Sequence, residues 1–184
     1  MKKTHIYILF GLMVIAQIFA SAQIVYKYES IISPENVYKF KTAPIDPNNP
    51  FMGKYVDLNF EMNFFVTEDT DWHYGQTAYA YISKDENGYA VLETLSKEIL
   101  PNSEFDYVAV ETSRHYHEGV RFQFPFNTYY MKETKAYDAE LLYRRNNRTE
   151  NQQDVYAIVH IKNGNHVLTD VIIDGVSLKD AVED

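Results

Sequence analysis

From Ile6 to Phe19 the chain is apolar except for Gly11 and Gln17, and Lys2 and Lys3 stand before it. Such a run has no polar face to give to water, so it cannot lie as an amphipathic helix on a soluble surface; a positive start followed by an apolar stretch is the layout of an export segment. Two outcomes are open to it. Ala20-Ser21-Ala22 before Gln23 fits a small-x-small cleavage site, which would release a soluble secreted or periplasmic protein. Continuation through Ile24, Val25 and Tyr26 gives about 21 residues, enough to span a bilayer and remain as an anchor. In both cases the two lysines hold the N-terminus in the cytoplasm, so everything after about residue 27 lies on the outer, periplasmic side of a cell envelope.

The rest of the 184 residues suffices for one domain with its own core. Hydrophobic residues at 46% and charged residues at 23% are globular proportions, outside the regime of disorder. The absence of cysteine excludes disulfide frameworks, thiolate nucleophiles and cysteine-rich zinc sites. A net charge of -9 without a basic cluster excludes nucleic acid, whose phosphates need concentrated positive charge.

Residues 33–50 carry Pro34, Pro44, Pro47 and Pro50 with Asn48-Asn49, which reads as an extended connector. Tyr55 to Val66 then alternates, with Val56, Leu58, Phe60, Met62, Phe64 and Val66 on one face, and predicts one long half-buried strand. Thr77–Ser83 and Tyr89–Leu95 flank a turn ending in Asn87-Gly88, which predicts a hairpin. Tyr107–Ser113 and Val120–Phe126 predict a second antiparallel pair, with Phe122, Phe124 and Phe126 pointing one way. A helix is expected from about Thr134 to Asn147, its acids early and its arginines late, covering one face of the sheet. Val155–Ile161 and His166–Ile173 predict a last hairpin through Asn163-Gly164, followed by a turn at Asp174-Gly175 and a short polar tail. The expected class is α+β: mainly antiparallel sheet or a partly open barrel with one packed helix, after an N-terminal hydrophobic helix. The expected organisation is an export segment over 1–26, a connector over 27–52 and a β-rich extracytoplasmic domain over 53–184.

The stretch Lys41-Thr42-Ala43-Pro44-Ile45-Asp46-Pro47, and then Pro50-Phe51-Met52-Gly53-Lys54-Tyr55-Val56-Asp57-Leu58-Asn59-Phe60, resembles the signature of the GDYXXLXY family of bacterial membrane-anchored proteins. Phe124 to Glu133, including Tyr130, followed by Ala136 to Glu140, is similar to that family's second block. Val167 to Gly175, ending in Ile173-Asp174-Gly175, is similar to its last hairpin. The sequence departs from the name motif at Lys54, where Asp is usual, and at Phe60, where Tyr is usual; Met52 also replaces a common Arg. The resemblance implies an uncleaved anchor and a multi-pass membrane-protein partner, and it implies no known activity or cofactor.

Residues able to carry chemistry are few. His115 and His117, two apart, would share a strand face and are weak metal candidates without a third ligand implied by spacing; two histidines beside a turn are more often solvated. Glu133 and Glu140 could act as paired carboxylates, as could Asp46 and Asp57. Their plainer roles are a helix N-terminus for Glu133, a pair with Arg144 for Glu140, an Asp-Pro turn for Asp46 and a polar strand face for Asp57. No Gly-rich phosphate loop, zinc-protease helix or nucleophile elbow occurs. Tyr129 and Tyr130 beside Phe126 form the densest aromatic cluster outside the alternating strands and are the candidate contact patch. The expected function is a non-catalytic envelope module that binds a membrane protein; the alternative is a small hydrolase or glycan-active enzyme using Asp and Glu. An enzyme should bring those acids together in a concave pocket, and a binding module should show exposed aromatics without them.

Overall fold

A computed structural model of the chain describes residues 3–43, 55–116, 118–131, 133–146 and 154–182. It opens with α1, Lys3–Glu29, followed by a 3-10 turn at Pro34–Asn36 and β1, Val37–Ala43. Then come β2, Tyr55–Asp57; β3, Asn59–Phe60; β4, Phe64–Val66; β5, Thr77–Lys84; β6, Ala90–Ser96; β7, Asp106–Tyr116; β8, Gly119–Gln123; and β9, Thr128–Tyr130. α2, Glu133–Asn146, leads to β10, Val155–Lys162; β11, Asn165–Ile173; β12, Val176–Ser177; and α3, Leu178–Ala181.

The strands form two five-stranded sheets and a two-stranded ribbon. One sheet has the order β12-β11-β10-β1-β3, the other β4-β8-β7-β5-β6, and the ribbon is β2-β9. Every pairing between named strands is antiparallel. Both hairpins anticipated at Asn87-Gly88 and Asn163-Gly164 are present, and at the second both turn residues have positive φ, 49° and 78°, as a tight hairpin requires. The expected α+β class holds, with an antiparallel body and a packed helix behind the apolar N-terminal helix. The body is divided among three sheets.

One hydrophobic core draws on both large sheets. At its centre Phe40, Phe60, Phe124 and Phe126 touch in all six pairings, with ring centres 4.9 to 5.9 Å apart. Phe122, Phe124 and Phe126 are all buried, as their spacing predicts, although Phe124 and Phe126 lie beyond the end of β8. Edge-to-face and offset ring pairs of this kind add about 0.5–1.5 kcal/mol each to the gain from burial alone.

Three expectations are corrected. The segment read as a connector contains β1, a strand bonded on both sides, in which Tyr38, Phe40 and Thr42 point inward. In the sequence Pro34 and Pro44 stand on either side of a proline-free alternation, so no proline interrupts the strand. The single long strand over 55–66 is three short strands, each in a different sheet. Val56, Leu58 and Phe60 are buried as expected, but the chain turns at 61–63, where Glu61 N donates to Lys41 O and Asn63 Nδ2 to Phe60 O. Beyond the turn the faces exchange, so Phe65 packs against the core and Val66 is 73% exposed. The polar tail, finally, holds β12 and α3, because Leu178 is fully buried and draws the chain back onto the body.

Candidate functional site

The three blocks that carry the family resemblance lie far apart in sequence and meet at the ribbon. β2 pairs with β9 in the register Tyr55↔Tyr130, Val56↔Tyr129 and Asp57↔Thr128, so the first block bonds directly to the second. α2 packs on β2, and β9 lies against β11 of the third block. Side chains alternate across the ribbon: Val56 and Tyr129 face inward, while Tyr55 and Tyr130 face out with their rings 6.0 Å apart, edge to face.

Beneath the ribbon, Asp170 Oδ1 accepts from Tyr129 Oη at 2.9 Å, Ser177 Oγ at 3.0 Å and Val171 N at 2.8 Å. Lys179 Nζ stands 5.4 Å from the centre of the Tyr129 ring. Burial first, and then the hydrogen bond to Asp170, pushes the Tyr129 hydroxyl above its ordinary range. The phenol stays protonated as a donor and the carboxylate oxygen is fully engaged, which is the chemistry of a structural clasp.

The candidate contact patch is therefore corrected. Phe126 is 4% and Tyr129 3% exposed, so both belong to the core, and only Tyr130, at 72%, reaches the surface. Its exposed neighbour is Tyr55. The sequence obscured this because Tyr130 and Tyr55 are brought together by strand pairing, and because an aromatic run on a short strand must alternate in and out.

The remaining motif residues are structural where they are described. Val56, Leu58 and Phe60 are core, and Asp174 and Gly175 have φ of 49° and 81° in the β11–β12 turn. Glu140 is buried on the face of α2 that also buries Ala136, Ala139 and Tyr143. Glu133 begins α2, with its side chain outside the described residues. Pro44, Asp46, Pro47 and Gly53 lie outside them altogether. His115 sits in β7 opposite Val120, but its side chain and all of His117 also lie outside the described residues. Among the described residues no group of three or more His, Asp or Glu side chains is placed to hold a metal.

Among the described residues, cavities of about 230, 400 and 340 Å³ open on the body, and neither Asp57 nor Glu140 lines these. The first two share Gln123, Phe124 and Asn127 in their linings, beside and beyond the end of β8. The third contains Glu61 and Asp85, but Asp85 Oδ1 accepts from Asn87 N and Tyr89 N and so holds the β5–β6 turn. The residues missed by sequence reading are Asp170, Ser177 and Lys179. Asp170 left one signal, a lone acid next to the apolar run 171–173.

A family model described as GDYXXLXY protein matches residues 17–171. No curated protein and no solved structure matches the chain. Because that match covers most of the sequence, including the first two blocks and the start of the third, the chain belongs to the GDYXXLXY family.

Proposed function

We propose that this protein is a non-catalytic binding module, held at the outer face of a membrane by α1, whose β2–β9 ribbon engages a membrane-protein partner. The observation that carries this reading is the use made of the three sequence blocks. They converge on a ribbon with a packed, hydrogen-bonded underside and two exposed tyrosines on top. Tyrosines in this setting offer large, rigid, amphipathic contact area at low entropic cost, which is why they concentrate at protein interfaces. The outward orientation rests on Lys2 and Lys3, which favour a cytoplasmic N-terminus.

The test is photo-crosslinking in native membranes from a photoreactive residue at position 130, read against the same substitution at Val91 on β6. A membrane protein captured from 130, lost when Tyr55→Ser is added and absent from 91, is the expected result. Equal capture at both positions, or capture of soluble proteins alone, overturns the ribbon as the binding face.

A further inference from the structure

α1 is long and apolar, and none of its described residues is buried against the body. Its span Tyr7–Glu29 is 23 residues with none buried, about 34 Å at 1.5 Å per residue, against a hydrocarbon core of about 30 Å. Exposed Tyr26 and Tyr28 then fall at the outer interface, where amphipathic rings settle.

The segment that joins α1 to the body is not a loose tether. Only residues 30–36 separate the helix from β1. Free, seven residues would give the body about 15 Å of reach. Instead the helical ladder runs on through Ser30 N to Tyr26 O and Ile31 N to Tyr28 O. Ile31 is 2% exposed, Asn36 Nδ2 donates to its carbonyl at 3.0 Å, and Asn36 N donates to Ser33 O. Two further elements grip the same collar. His160 Nδ1 of β10 lies 3.2 Å from Ser33 O, and Lys84 Nζ of β5 donates to Glu35 O while its charge sits over the Tyr38 ring. Every backbone group fixed in this way removes a rotation through which the domain could swing.

We infer that the body is docked on the bilayer by this collar, with the end that carries the start of β1 and the close of β5 and β10 apposed to the lipid headgroups. It would not range above the membrane. The apolar Ile32, half exposed beside the collar, would meet the interface. The opposite end is the β7–β8 turn. β7 starts at Asp106, which is bonded to Tyr38 at the collar end, and runs 11 residues, roughly 30 Å, away from it. The inference rests on α1 spanning the membrane.

The chain has no cysteine, so single labels can be placed without background. Full-length Ile32→Cys and Glu118→Cys, each carrying a fluorophore, are reconstituted in phosphatidylcholine vesicles containing lipids with a nitroxide quencher in the upper acyl chain. The label at 32 should be quenched several-fold more than that at 118, and a flexible Gly/Ser insertion after Glu29 should remove most of the difference. Failure of the full chain to float with vesicles overturns the spanning helix and the docking together. Flotation with equal quenching at the two positions overturns the docking alone. An unchanged difference after the insertion shows that the collar is not what holds the body down, and also overturns it.

Discussion

Tyr38, Tyr89 and Tyr129 each donate a hydroxyl to an aspartate on another part of the fold: Asp106 at 3.0 Å, Asp154 at 2.6 Å and Asp170 at 2.9 Å. Each bond joins segments more than 40 residues apart in the chain, between the two large sheets in the first case and between ribbon and sheet in the third. All three phenols are pushed upward, by burial first and by the aspartate after it. Hydrogen bonds to charged acceptors contribute about 1.5–3 kcal/mol, so Tyr129→Phe should lower stability by about 1–3 kcal/mol, seen as a lower urea midpoint at unchanged slope. The pH dependence has a definite sign. A phenol raised above its unfolded value near 10 stabilises the fold fully below that pH, and the contribution is lost as pH rises through the folded value. The stability gap between wild type and Tyr129→Phe should therefore be constant from pH 7 to 9 and close above about pH 10, where a constant gap would show that the clasp is not what the substitution removes. None of these pairs was legible in the sequence, because a hydrogen bond between distant residues leaves no mark on local periodicity.

Among the elements, the hairpins were the most readable, since Asn163-Gly164 and Gly88 place left-handed residues where the chain must reverse. The same local logic failed over 55–66. Alternation there fixes which side chains are buried as far as Phe60, but which neighbour each short segment bonds to is decided by β9, β1 and β8 in turn. Gly119 shows how tight one of those junctions is. A Cβ at that position would lie 2.0 Å from the Phe65 carbonyl oxygen, so β4 can approach β8 only because the residue is glycine. Gly119→Ala should force the strands apart and cost about 1–3 kcal/mol or more, measured by thermal unfolding. Amide exchange at residues 64–66 should accelerate relative to β5; unchanged protection there would mean that the backbone yields elsewhere.

For the molecule as a whole, α1 and the core of the body are built from separate residues. The span contributes nothing to the core, while the body closes its own core around four phenylalanines. A chain beginning at Lys27 should consequently be soluble without detergent and unfold within a few degrees of the full-length protein in detergent, by differential scanning calorimetry. Collapse or aggregation of that shorter chain would show that the helix is part of the fold. The apolar run and the lysines before it determined the division into helix and body, and turn chemistry with alternation determined most strands, because these signals act over a few neighbouring residues. Only the tertiary structure decided that three distant blocks meet at a ribbon, that Tyr129 turns inward while Tyr130 faces out, and that a proline-bounded stretch is an interior strand. Those outcomes depend on which surfaces meet across the core, and such pairings are chosen by packing and hydrogen-bond satisfaction over the entire chain.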